Sequence, residues 1–423
     1  MQFEDSFQIL DTFRRLPQVR KFIIALSGGV DSVALIHNLS RLQAQLPQSL
    51  LAVHIHHGLM ADADLWTAQC ESLCKQLKLP LEVVRVKVDA RKKSLEAAAR
   101  EARYAALQEY IRADTALLTA HHQDDQAETI LLHLTKGAGS AGLAGMPISK
   151  RFGRGWHFRP LLPVTRAALQ KYVLLHKLPV IEDPSNFDTQ HERNYLRHQI
   201  IPEFTERWPS ATTGMARSAR HQSENIRLQN DLAEIDIRQV VKPDGALTIP
   251  RLKQLKKHRQ RNCLRYWLRN MGGEDVNPST DQLASLMKEL MNSAWDSEPE
   301  LQLGSKTIHR YRDRLYQLPK QKNPEINKEY VWELDKTLKI PSLGIVLEPW
   351  GVLAAYQSLN KEDKLVVRFR QGGERIRIHG HRNHRPLKKL FQEWGVPPWR
   401  RNYLPLIYKD DELLMVWGYA SAR

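Results

Sequence analysis

The sequence predicts an α/β protein with three parts: an amino-terminal domain built on a doubly wound parallel sheet, a helical middle domain, and a small α+β domain at the carboxyl end. Short apolar runs alternate with amphipathic segments of helix length from Phe22 to His176, which is typical of a parallel sheet covered on both faces. Helical periodicity then dominates from Ile201 to about Leu315. Beyond that, apolar and polar residues alternate as in a strand-rich domain.

The elements of the first domain follow one another in regular order. The predicted strands and helices, in chain order, are Phe22–Leu26, Val33–Leu39, Leu51–Ile55, Asp64–Leu77, Leu81–Val88, Leu95–Ile111, Ala116–Thr119 and Asp124–Leu134. Gly137–Gly145 holds four glycines in nine residues and is predicted to be a mobile loop. Arg159–Leu162 and a helix over Thr165–His176, capped by Thr165, complete the predicted sheet. Glu182–Asn186 is a predicted turn.

The expected domain boundaries follow from the same patterns: 1–205, 206–318 and 330–423. Leu318–Pro324 has the composition of a linker. Strands are expected after it at Leu365–Phe369, Arg375–Ile378 and Leu413–Trp417.

Composition excludes several classes of protein. Of the 423 residues, 42% are hydrophobic and 26% are charged, as in folded globular proteins. The longest apolar runs are about five residues, too short to cross a bilayer, and the first residues do not resemble a secretory signal, so we expect a cytoplasmic protein. Three cysteines without a CxxC pair disfavour a disulfide framework, a zinc site or a redox couple.

The charge balance indicates a polyanionic partner. The chain has 63 Lys and Arg against 47 Asp and Glu, a net charge of +16, and clustered cations gain from displacing counterions on nucleic acid. Half of the excess lies between Arg368 and Arg401, where ten cations face two glutamates. Histidine and tryptophan are interleaved there, as at RNA-binding surfaces. The alternative is a solvated basic face. Candidate RNA contacts are Arg375, Arg377, Lys388, Lys389 and Arg400.

A glycine-rich loop after the first strand predicts a phosphate-binding site. It consists of Ser27, Gly28, Gly29, Val30, Asp31 and Ser32. Glycine lets the backbone approach an anion closely, and the amino end of the following helix attracts negative charge. The loop lacks the Lys-Ser/Thr ending of the ATPase P-loop and the GxGxxG dinucleotide fingerprint, which disfavours ordinary ATPases and dehydrogenases. The alternative is a turn that only caps a helix.

Acids and histidines follow two of the predicted strands. Asp124, Asp125 and Glu128 come after the fourth strand, and Asp125 and Glu128 share one helix face because they are three residues apart. Five histidines also lie at strand ends: His54, His56, His57, His121 and His122. Imidazole and carboxylate together suit zinc or iron, so a metal-dependent hydrolase is one alternative, although it leaves the phosphate loop unexplained. A solvated acidic face is another.

These motifs resemble known families. The glycine loop resembles the signature of the PP-loop ATP pyrophosphatases, which cleave ATP to AMP and pyrophosphate to form adenylates. Further segments resemble the tRNA(Ile)-lysidine synthetase family over nearly all of residues 20–205, and the resemblance continues near the carboxyl end. These segments are Val53–Leu59, Glu96–Arg100, Arg103–Tyr104, Thr119–Thr129, Gly142–Met146, Arg159–Leu162, Glu182–Asn186, Arg193–Arg197, Leu387–Phe391 and Pro397–Trp399.

The resemblance implies an adenine nucleotide alpha hydrolase-like fold and an ATP-dependent tRNA-modifying ligase. Such an enzyme adenylates the C2 oxygen of the wobble cytidine in an isoleucine tRNA with a CAU anticodon, and free L-lysine then displaces AMP. ATP, Mg²⁺, lysine and tRNA are the implied ligands. The runner-up is a tRNA thiolation enzyme of the same superfamily, disfavoured because the three cysteines form no reactive or cluster-binding set.

The resemblance also implies roles for single residues. Ser27–Ser32 and His57 are expected to bind ATP, and Asp31 and Asp124 to hold Mg²⁺ through waters and phosphate. Catalytic roles are expected for Asp31, Asp125, Glu128 and Arg193, and substrate contacts for Asp124, Arg100 and Arg197. The acids would bind the ammonium groups of lysine, and one would remove a proton from the ε-amine before it attacks. The sequence leaves open which of Arg193 and Arg197 enters the site.

Overall fold

The computed structural model describes residues 13, 19–89, 91, 94–271, 278–291, 299–304, 306–319, 328–356, 358–378 and 383–422. The chain divides into two compact units, Met1–Gln229 and Asn230–Arg423. Among the described residues, no helix is both long and apolar enough to cross a membrane.

The first unit is built on a six-stranded sheet in the order β3-β2-β1-β4-β6-β5. The strands are β1 Lys21–Ala25, β2 Ser49–His56, β3 Leu81–Arg85, β4 Thr115–Leu118, β5 Ser149–Phe152 and β6 Gly155–Phe158. All neighbours pair in parallel except β5, which runs antiparallel to β6 at the edge. The chain moves outward from β1 to β3 and then returns to the other side of β1 as β4. The winding therefore changes direction between β1 and β4.

Helices cover both faces of this sheet. They are α1 Val30–Leu42, α2 Ala63–Gln76, α3 Leu95–Gln108, α4 Gln123–Thr135, α5 Ser140–Leu143 and α6 Arg166–Leu175. Successive side chains of a strand point to opposite faces. Phe22 and Ile24 accordingly belong to a core that contains Leu35 of α1, whereas Ile23 belongs to a second core with Leu107 of α3. The predicted doubly wound parallel sheet is confirmed.

Three local predictions in this unit are wrong. Gly137–Gly145 is not simply a loop, because Ser140–Leu143 forms α5, held to α4 by His133 Nδ1, which donates to the Gly142 carbonyl at 2.6 Å. Arg159–Leu162 is a turn that follows the true strand β6, and β3 ends at Arg85 instead of Val88. The Thr165 cap is confirmed, since its hydroxyl accepts from Ala168 N at 3.3 Å.

The segment after α6 leads out of the first unit. It contains a 3₁₀ turn at Pro184–Phe187, where a turn is predicted, then α7 Glu192–Tyr195, a π turn at Leu196–Ile200 and α8 Ile201–Arg207. The long helix α9, Ala211–Val240, follows, and the division between the two units falls within it.

The first part of the second unit combines helices with an antiparallel sheet. Its elements are β7 Leu247–Thr248, α10 Ile249–Lys253, α11 Lys257–Asn270, α12 Thr280–Ser285, β8 Glu300–Leu303, β9 Lys306–Tyr311 and β10 Arg314–Pro319. The helical middle region is confirmed, but the helical periodicity predicted up to Leu315 is wrong for the last strands. Lys306 and Arg310 occupy buried positions of β9, so its alternating pattern is not apolar. Both side chains instead donate to backbone carbonyls.

The carboxyl-terminal part is strand-rich, as predicted. A five-stranded sheet has the order β11-β14-β17-β18-β19, and two short strand pairs, β12-β13 and β15-β16, accompany it. The elements are β11 Tyr330–Glu333, β12 Leu338–Ile340, β13 Ile345–Leu347, α13 Pro349–Leu353, β14 Lys364–Arg368, β15 Arg375–Ile376, β16 Arg385–Pro386, α14 Leu387–Glu393, α15 Pro398–Arg401, β17 Leu406–Lys409, β18 Glu412–Val416 and β19 Ala420–Ser421. Of the predicted linker, Leu318 and Pro319 belong to β10, and the remainder lies outside the described residues.

Candidate active site

The candidate site lies where the winding of the sheet reverses. The glycine loop follows β1, and the segment with the predicted acids follows β4, the strand next to β1. Open α/β sheets bind ligands at the carboxyl ends of their strands at such a point. The topology therefore brings two distant parts of the sequence together.

Ser32 organises the glycine loop from within. Its Oγ accepts from Ser27 N at 3.2 Å and Gly28 N at 3.1 Å, and donates to the Gly29 carbonyl at 3.0 Å. Gly29 precedes α1 without any side-chain cap. The first N–H groups of α1 thus have no side-chain cap to compete with an anion.

The two glycines are needed for different reasons. Gly28 has φ +84°, and a Cβ there would lie 2.1 Å from Ile181 Cδ1, so both backbone strain and close packing exclude a side chain. Gly29 has an extended backbone, and the nearest atom to an added Cβ is 3.7 Å away. A Cβ at Gly29 would therefore stand in ordinary van der Waals contact and would not displace its neighbours.

Asp31 and His122 connect the loop to the other strand end. Asp31 Oδ2 lies 3.5 Å from His122 Nε2, while Asp31 Oδ1 is buried without a hydrogen-bond partner. Such an orphaned carboxylate oxygen is costly unless a ligand satisfies it. A hydrated cation near the phosphate loop fits that requirement, because carboxylate oxygens suit Mg²⁺.

His122 also begins α4, a role that its residue type does not reveal. Its Nδ1 accepts from the backbone N–H groups of Asp124 and Asp125 at 3.2 and 3.4 Å, and Asp125 Oδ2 accepts from His122 N at 3.0 Å. Burial opposes protonation, but Asp124, Asp31 and Asp125 together raise the pKa of His122 above its ordinary value. When the ring is neutral, the contacts at Nδ1 place its proton on Nε2, which faces Asp31.

Asp124 is partly committed to the start of α6. Its Oδ2 accepts from Arg166 N at 2.8 Å. Although burial acts against it, the contacts with His122 and Arg166 N lower the pKa of Asp124. Asp124 is therefore a carboxylate whose Oδ2 lies 3.6 Å from His122 Nδ1, on the other nitrogen of the ring from Asp31.

Arg197 binds the two acids that were expected to hold lysine. Its Nε donates to Glu128 Oε1 at 2.7 Å and its Nη2 to Asp125 Oδ1 at 3.0 Å. Glu128 is fully buried, and burial raises the pKa of its carboxyl group although Arg197 opposes this shift. The second oxygen of Glu128 has no hydrogen-bond partner.

Arg193 also faces α4, so both candidate arginines lie beside the acids. Its Nη2 donates to Thr129 Oγ1 at 3.3 Å. Arg193 and Arg197 are one helical turn apart, which places them on the same side of the segment. The sequence could not reveal these contacts, because the partners lie more than sixty residues earlier.

Three arginines that form no ion pair with any described residue, Arg100, Arg103 and Arg159, lie around Tyr104. Arg159 is buried, and its Nη1 donates to the Pro147 carbonyl at 2.8 Å. Burial lowers the pKa of both Arg103 and Arg159. The Arg100 guanidinium stands 5.0 Å from the centroid of the Tyr104 ring. Of these three, the sequence predicts a substrate contact only for Arg100. Arg103 and Arg159 lie in other segments that resemble the same family, Arg103–Tyr104 and Arg159–Leu162.

The histidines do not form a metal centre. His54 Nδ1 donates to the Leu26 carbonyl at 2.9 Å, and His56 Nε2 lies 3.1 Å from Asp64 Oδ1. Burial lowers the pKa of His57, whose Nδ1 is buried without a hydrogen-bond partner. Burial also lowers the pKa of His121 to about 3. Within the described ranges, no group of three or more His, Cys, Asp or Glu is arranged to hold a metal ion, so a metal-dependent hydrolase is not favoured.

The cysteines are equally unsuited to sulfur transfer. Cys70, Cys74 and Cys263 are all buried. Burial raises the pKa of Cys70 and Cys263 to about 12 and that of Cys74 to about 11. Thiols of this kind are inert, and a thiolation enzyme is not favoured.

The predicted RNA contacts of the second unit are exposed. Arg375, Arg377, Lys388, Lys389 and Arg400 are all open to solvent and form no ion pair with any described residue. Other cations of the basic segment form ion pairs with acidic residues. Arg368 pairs with Glu329 and Asp411, and Arg385 pairs with Glu393, while Arg382, His379 and His381 lie outside the described residues.

The two tryptophans of that segment pack against protein. Trp399 contacts His309 with a centroid separation of 4.7 Å, and Trp394 stacks on Tyr419 at 5.6 Å and 23°. The interleaved aromatic residues are therefore partly structural. A further row of exposed cations lies on α11 at Lys257, Arg261 and Arg265, one turn apart, in a helix that contains no acid.

The fold and the phosphate loop define the chain as a PP-loop protein, and family models agree. A PP-loop domain matches residues 2–204, a TilS substrate binding domain matches 247–316, and a TilS substrate C-terminal domain matches 365–423.

Proteins of similar sequence identify a more specific family within this class. The tRNA(Ile)-lysidine synthase of Serratia proteamaculans is 42% identical over 96% of this chain and 92% of its own length. That of Coxiella burnetii is 38% identical over 97% and 92%, and that of Pseudomonas fluorescens is 41% identical over 93% and 88%. The chain belongs to the tRNA(Ile)-lysidine synthase family. A solved U34-tRNA thiolase from Methanococcus maripaludis aligns with 52% of this chain and 80% of its own at 17% identity, with a TM-score of 0.44, which carries no functional argument.

Proposed function

We propose that this protein uses ATP to join free L-lysine to C2 of the wobble cytidine in an isoleucine tRNA with a CAU anticodon. The observation that carries the proposal is the meeting, at one switch point, of an uncapped phosphate loop with the buried acid pair Asp125 and Glu128. Membership of the tRNA(Ile)-lysidine synthase family supports the choice of reaction and substrate. A cytoplasmic location follows from a tRNA substrate.

In the first step, the C2 oxygen of cytidine attacks the α-phosphorus of ATP, and the bond to the β-phosphate breaks to release pyrophosphate. The Ser27–Ser32 loop and the amino end of α1 bind the phosphates, and His57, which directly follows β2, the strand next to β1, contacts the nucleotide. Asp31 and Asp124 would hold Mg²⁺, which would neutralise charge on the departing pyrophosphate. The support is the orphaned oxygen of Asp31 and the proximity of both carboxylates to His122.

In the second step, the ε-amine of lysine attacks C2, the new C–N bond forms, and the bond between C2 and the AMP oxygen breaks. Asp125 and Glu128 bind the ammonium groups of lysine in place of part of their contact with Arg197. Glu128 accepts the proton that the amine loses. A buried carboxylate with a raised pKa and a free oxygen is the better base of the two.

Several arginines of the candidate site could neutralise the negative charge of the acids and of the ATP phosphates. Arg193 and Arg197 lie beside the acids, and Arg100 lies with Arg103 near Tyr104. We propose that Arg193 acts at the reacting groups and that Arg100 and Arg197 contact substrate. Arg159, which is buried and forms no ion pair with any described residue, adds positive charge near His121. A buried cation without a counterion favours an anionic ligand.

The tRNA is held mainly outside the catalytic domain 1–205. We propose that the segments 206–318 and 330–423 are tRNA-binding domains. The exposed, unpaired cations of α11 and of the basic segment, Arg375, Arg377, Lys388, Lys389 and Arg400, contact phosphates.

The experiment is incubation of the protein with ATP, Mg²⁺, labelled lysine and an isoleucine tRNA with a CAU anticodon. We expect label in the tRNA together with stoichiometric AMP and pyrophosphate. The matched control is the same tRNA with a GAU anticodon, which lacks the target cytidine and should stay unlabelled. Label in neither tRNA, with the protein folded and ATP bound, would overturn the proposal.

A further inference from the structure

Phe187 is an exposed aromatic ring on a turn that is held by side-chain hydrogen bonds. Its side chain is 65% exposed, and it belongs to none of the hydrophobic cores formed by the described residues. The turn before it is anchored by Asp183 Oδ1, which accepts from Ser185 N at 2.9 Å. Asn194 Nδ2 donates to the carbonyls of Ser185 and Asp188, both at 2.9 Å.

His198 supports the ring from one side. The two rings are stacked with a centroid separation of 5.4 Å and an interplanar angle of 27°. His198 Nε2 also donates to the Asn186 carbonyl at 2.9 Å, which fixes the imidazole beside Phe187. The phenyl ring therefore has one face covered and remains largely open to solvent. Ordering a loop costs conformational entropy, and here the ordered residue adds little to any core.

The residue that supports this ring, His198, is next in the chain to an arginine of the candidate active site. His198 directly follows Arg197, which holds Asp125 and Glu128. Two further contacts hold the same segment at adjacent residues. His191 Nδ1 lies 3.2 Å from Glu96 Oε2, and Lys136 forms an ion pair with Glu192 at 3.1 Å. The ring thus lies on a segment that also carries Arg197, whose guanidinium reaches Asp125 and Glu128.

We propose that Phe187, backed by His198, is a stacking platform for the adenine that follows the wobble cytidine in the CAU anticodon. This inference rests on the proposed function. A base that reacts at C2 has to leave its stack, which uncovers a face of the adjoining base. In CAU that adjoining base is the only purine of the anticodon. Flat aromatic rings beside cations are the usual partners of such unstacked bases.

The test replaces this adenine by 2-aminopurine, whose fluorescence is quenched on stacking, in the full-length isoleucine tRNA. We expect the wild-type protein to quench it, and Phe187→Ala and Phe187→Leu to quench it less. The same two variants should raise the KM for tRNA in lysine incorporation about ten-fold, the factor that corresponds to a stacking energy of about 1.4 kcal/mol. Phe187→Tyr should behave as wild type, because the flat ring is kept.

The matched control is Leu65→Ala, which removes an apolar side chain of similar exposure, 67%, from α2 and should leave both readouts unchanged. Unchanged quenching and KM in Phe187→Leu would overturn the platform and make Phe187 an ordinary exposed apolar residue. Failure of the proposed function is seen separately, as the absence of lysine incorporation by the wild-type protein. In that case the fluorescence titration still decides whether this base stacks on Phe187.

Discussion

Replacing Arg197 by Met should leave the buried carboxylate of Glu128 without its cationic partner. In the wild-type protein, Arg197 is the cation that donates to Glu128 Oε1, at 2.7 Å, and the arginine side chain is 22% exposed while that of Glu128 is fully buried. Removing one member of a buried pair costs about 3 to 5 kcal/mol. Since Arg197 retains some contact with solvent, we expect about 3 kcal/mol at pH 8, close to two orders of magnitude in a local opening equilibrium.

The cost should depend on pH in a defined direction. Burial raises the pKa of Glu128 above its ordinary value, Asp125 acts in the same direction, and Arg197 and Arg193 oppose it. Without Arg197 the raised pKa rises further. Because the folded state then binds the proton more tightly than the unfolded state, the variant loses stability as pH rises from the unfolded pKa through the folded one. Near pH 4, just below the unfolded pKa, most of the carboxyl groups are protonated in both states, and the difference from wild type should be much smaller than at pH 8.

Hydrogen exchange of the α4 amides between pH 4 and 8, corrected for intrinsic exchange, measures this opening. The matched control is Arg193→Met, which removes a hydrogen bond to a hydroxyl, worth about 1 kcal/mol, and a cation whose effect on the Glu128 pKa is smaller than that of Arg197. Its pH dependence should therefore be weaker than that of Arg197→Met. Adding Glu128→Gln to Arg197→Met should recover part of the loss at pH 8. A pH-independent effect of Arg197→Met, or one no larger than that of the control, would refute the assignment of Glu128 as a buried charge balanced by Arg197.

Three further outcomes are expected. Gly29→Val should abolish adenylation of tRNA while leaving the Kd for tRNA and the thermal stability near wild type, because a Cβ at Gly29 is only in ordinary contact with its nearest protein atoms. Adenylation at the wild-type rate would exclude phosphate binding at this loop. Glu128→Gln should slow the lysine-dependent step, so that adenylated tRNA accumulates in a quenched reaction, whereas loss of ATP binding alone would move this acid to the nucleotide site. Replacing Lys388, Lys389 and Arg400 together by Gln should weaken tRNA binding and reduce the slope of log Kd against log salt by about 2 to 3, measured by filter binding, with ATP binding as the unaffected control.

Charge substitution is the appropriate test of the basic segment, because deleting the chain after Lys361 would do more than remove cations. Strand β14 pairs with both β11 and β17. A truncation before β14 therefore leaves β11 without its partner. Changes confined to exposed side chains keep this sheet intact.

The sequence predicted the parts of the fold in which local pattern and tertiary position agree. Phe22–Leu26 is apolar at every position and is buried in the centre of a parallel sheet, where both faces are covered. The glycine loop was predictable because Gly28 is required by its own backbone conformation. Strand β9 was missed because Lys306 and Arg310 are buried there against helix carbonyls, an arrangement that no hydrophobic pattern shows.

The site was predictable as a set of residues but not as a set of contacts. Asp125 and Glu128 share a helix face by spacing alone, whereas their common partner Arg197 follows only from the folded chain. His122 looked like one of several equivalent histidines. Its place between Asp31 and the first turn of α4 depends on two strands being adjacent, a property of topology. His122 and Asp125 have the three-residue spacing of a capping box, but not its usual Ser/Thr and Glu/Gln residues, so the sequence did not show the cap.

The inert cysteines make this chain a convenient starting point for site-directed labelling. At pH 7.5 a thiol with a pKa of about 11 is about 0.03% thiolate, and the thiolate is the form that reacts with maleimides. A cysteine introduced at an exposed position such as Leu65, with an ordinary pKa near 8.5, would be about 300-fold more ionised. Dyes can therefore be attached without first removing Cys70, Cys74 or Cys263, and distances between the two units can be followed by energy transfer in the otherwise unaltered protein.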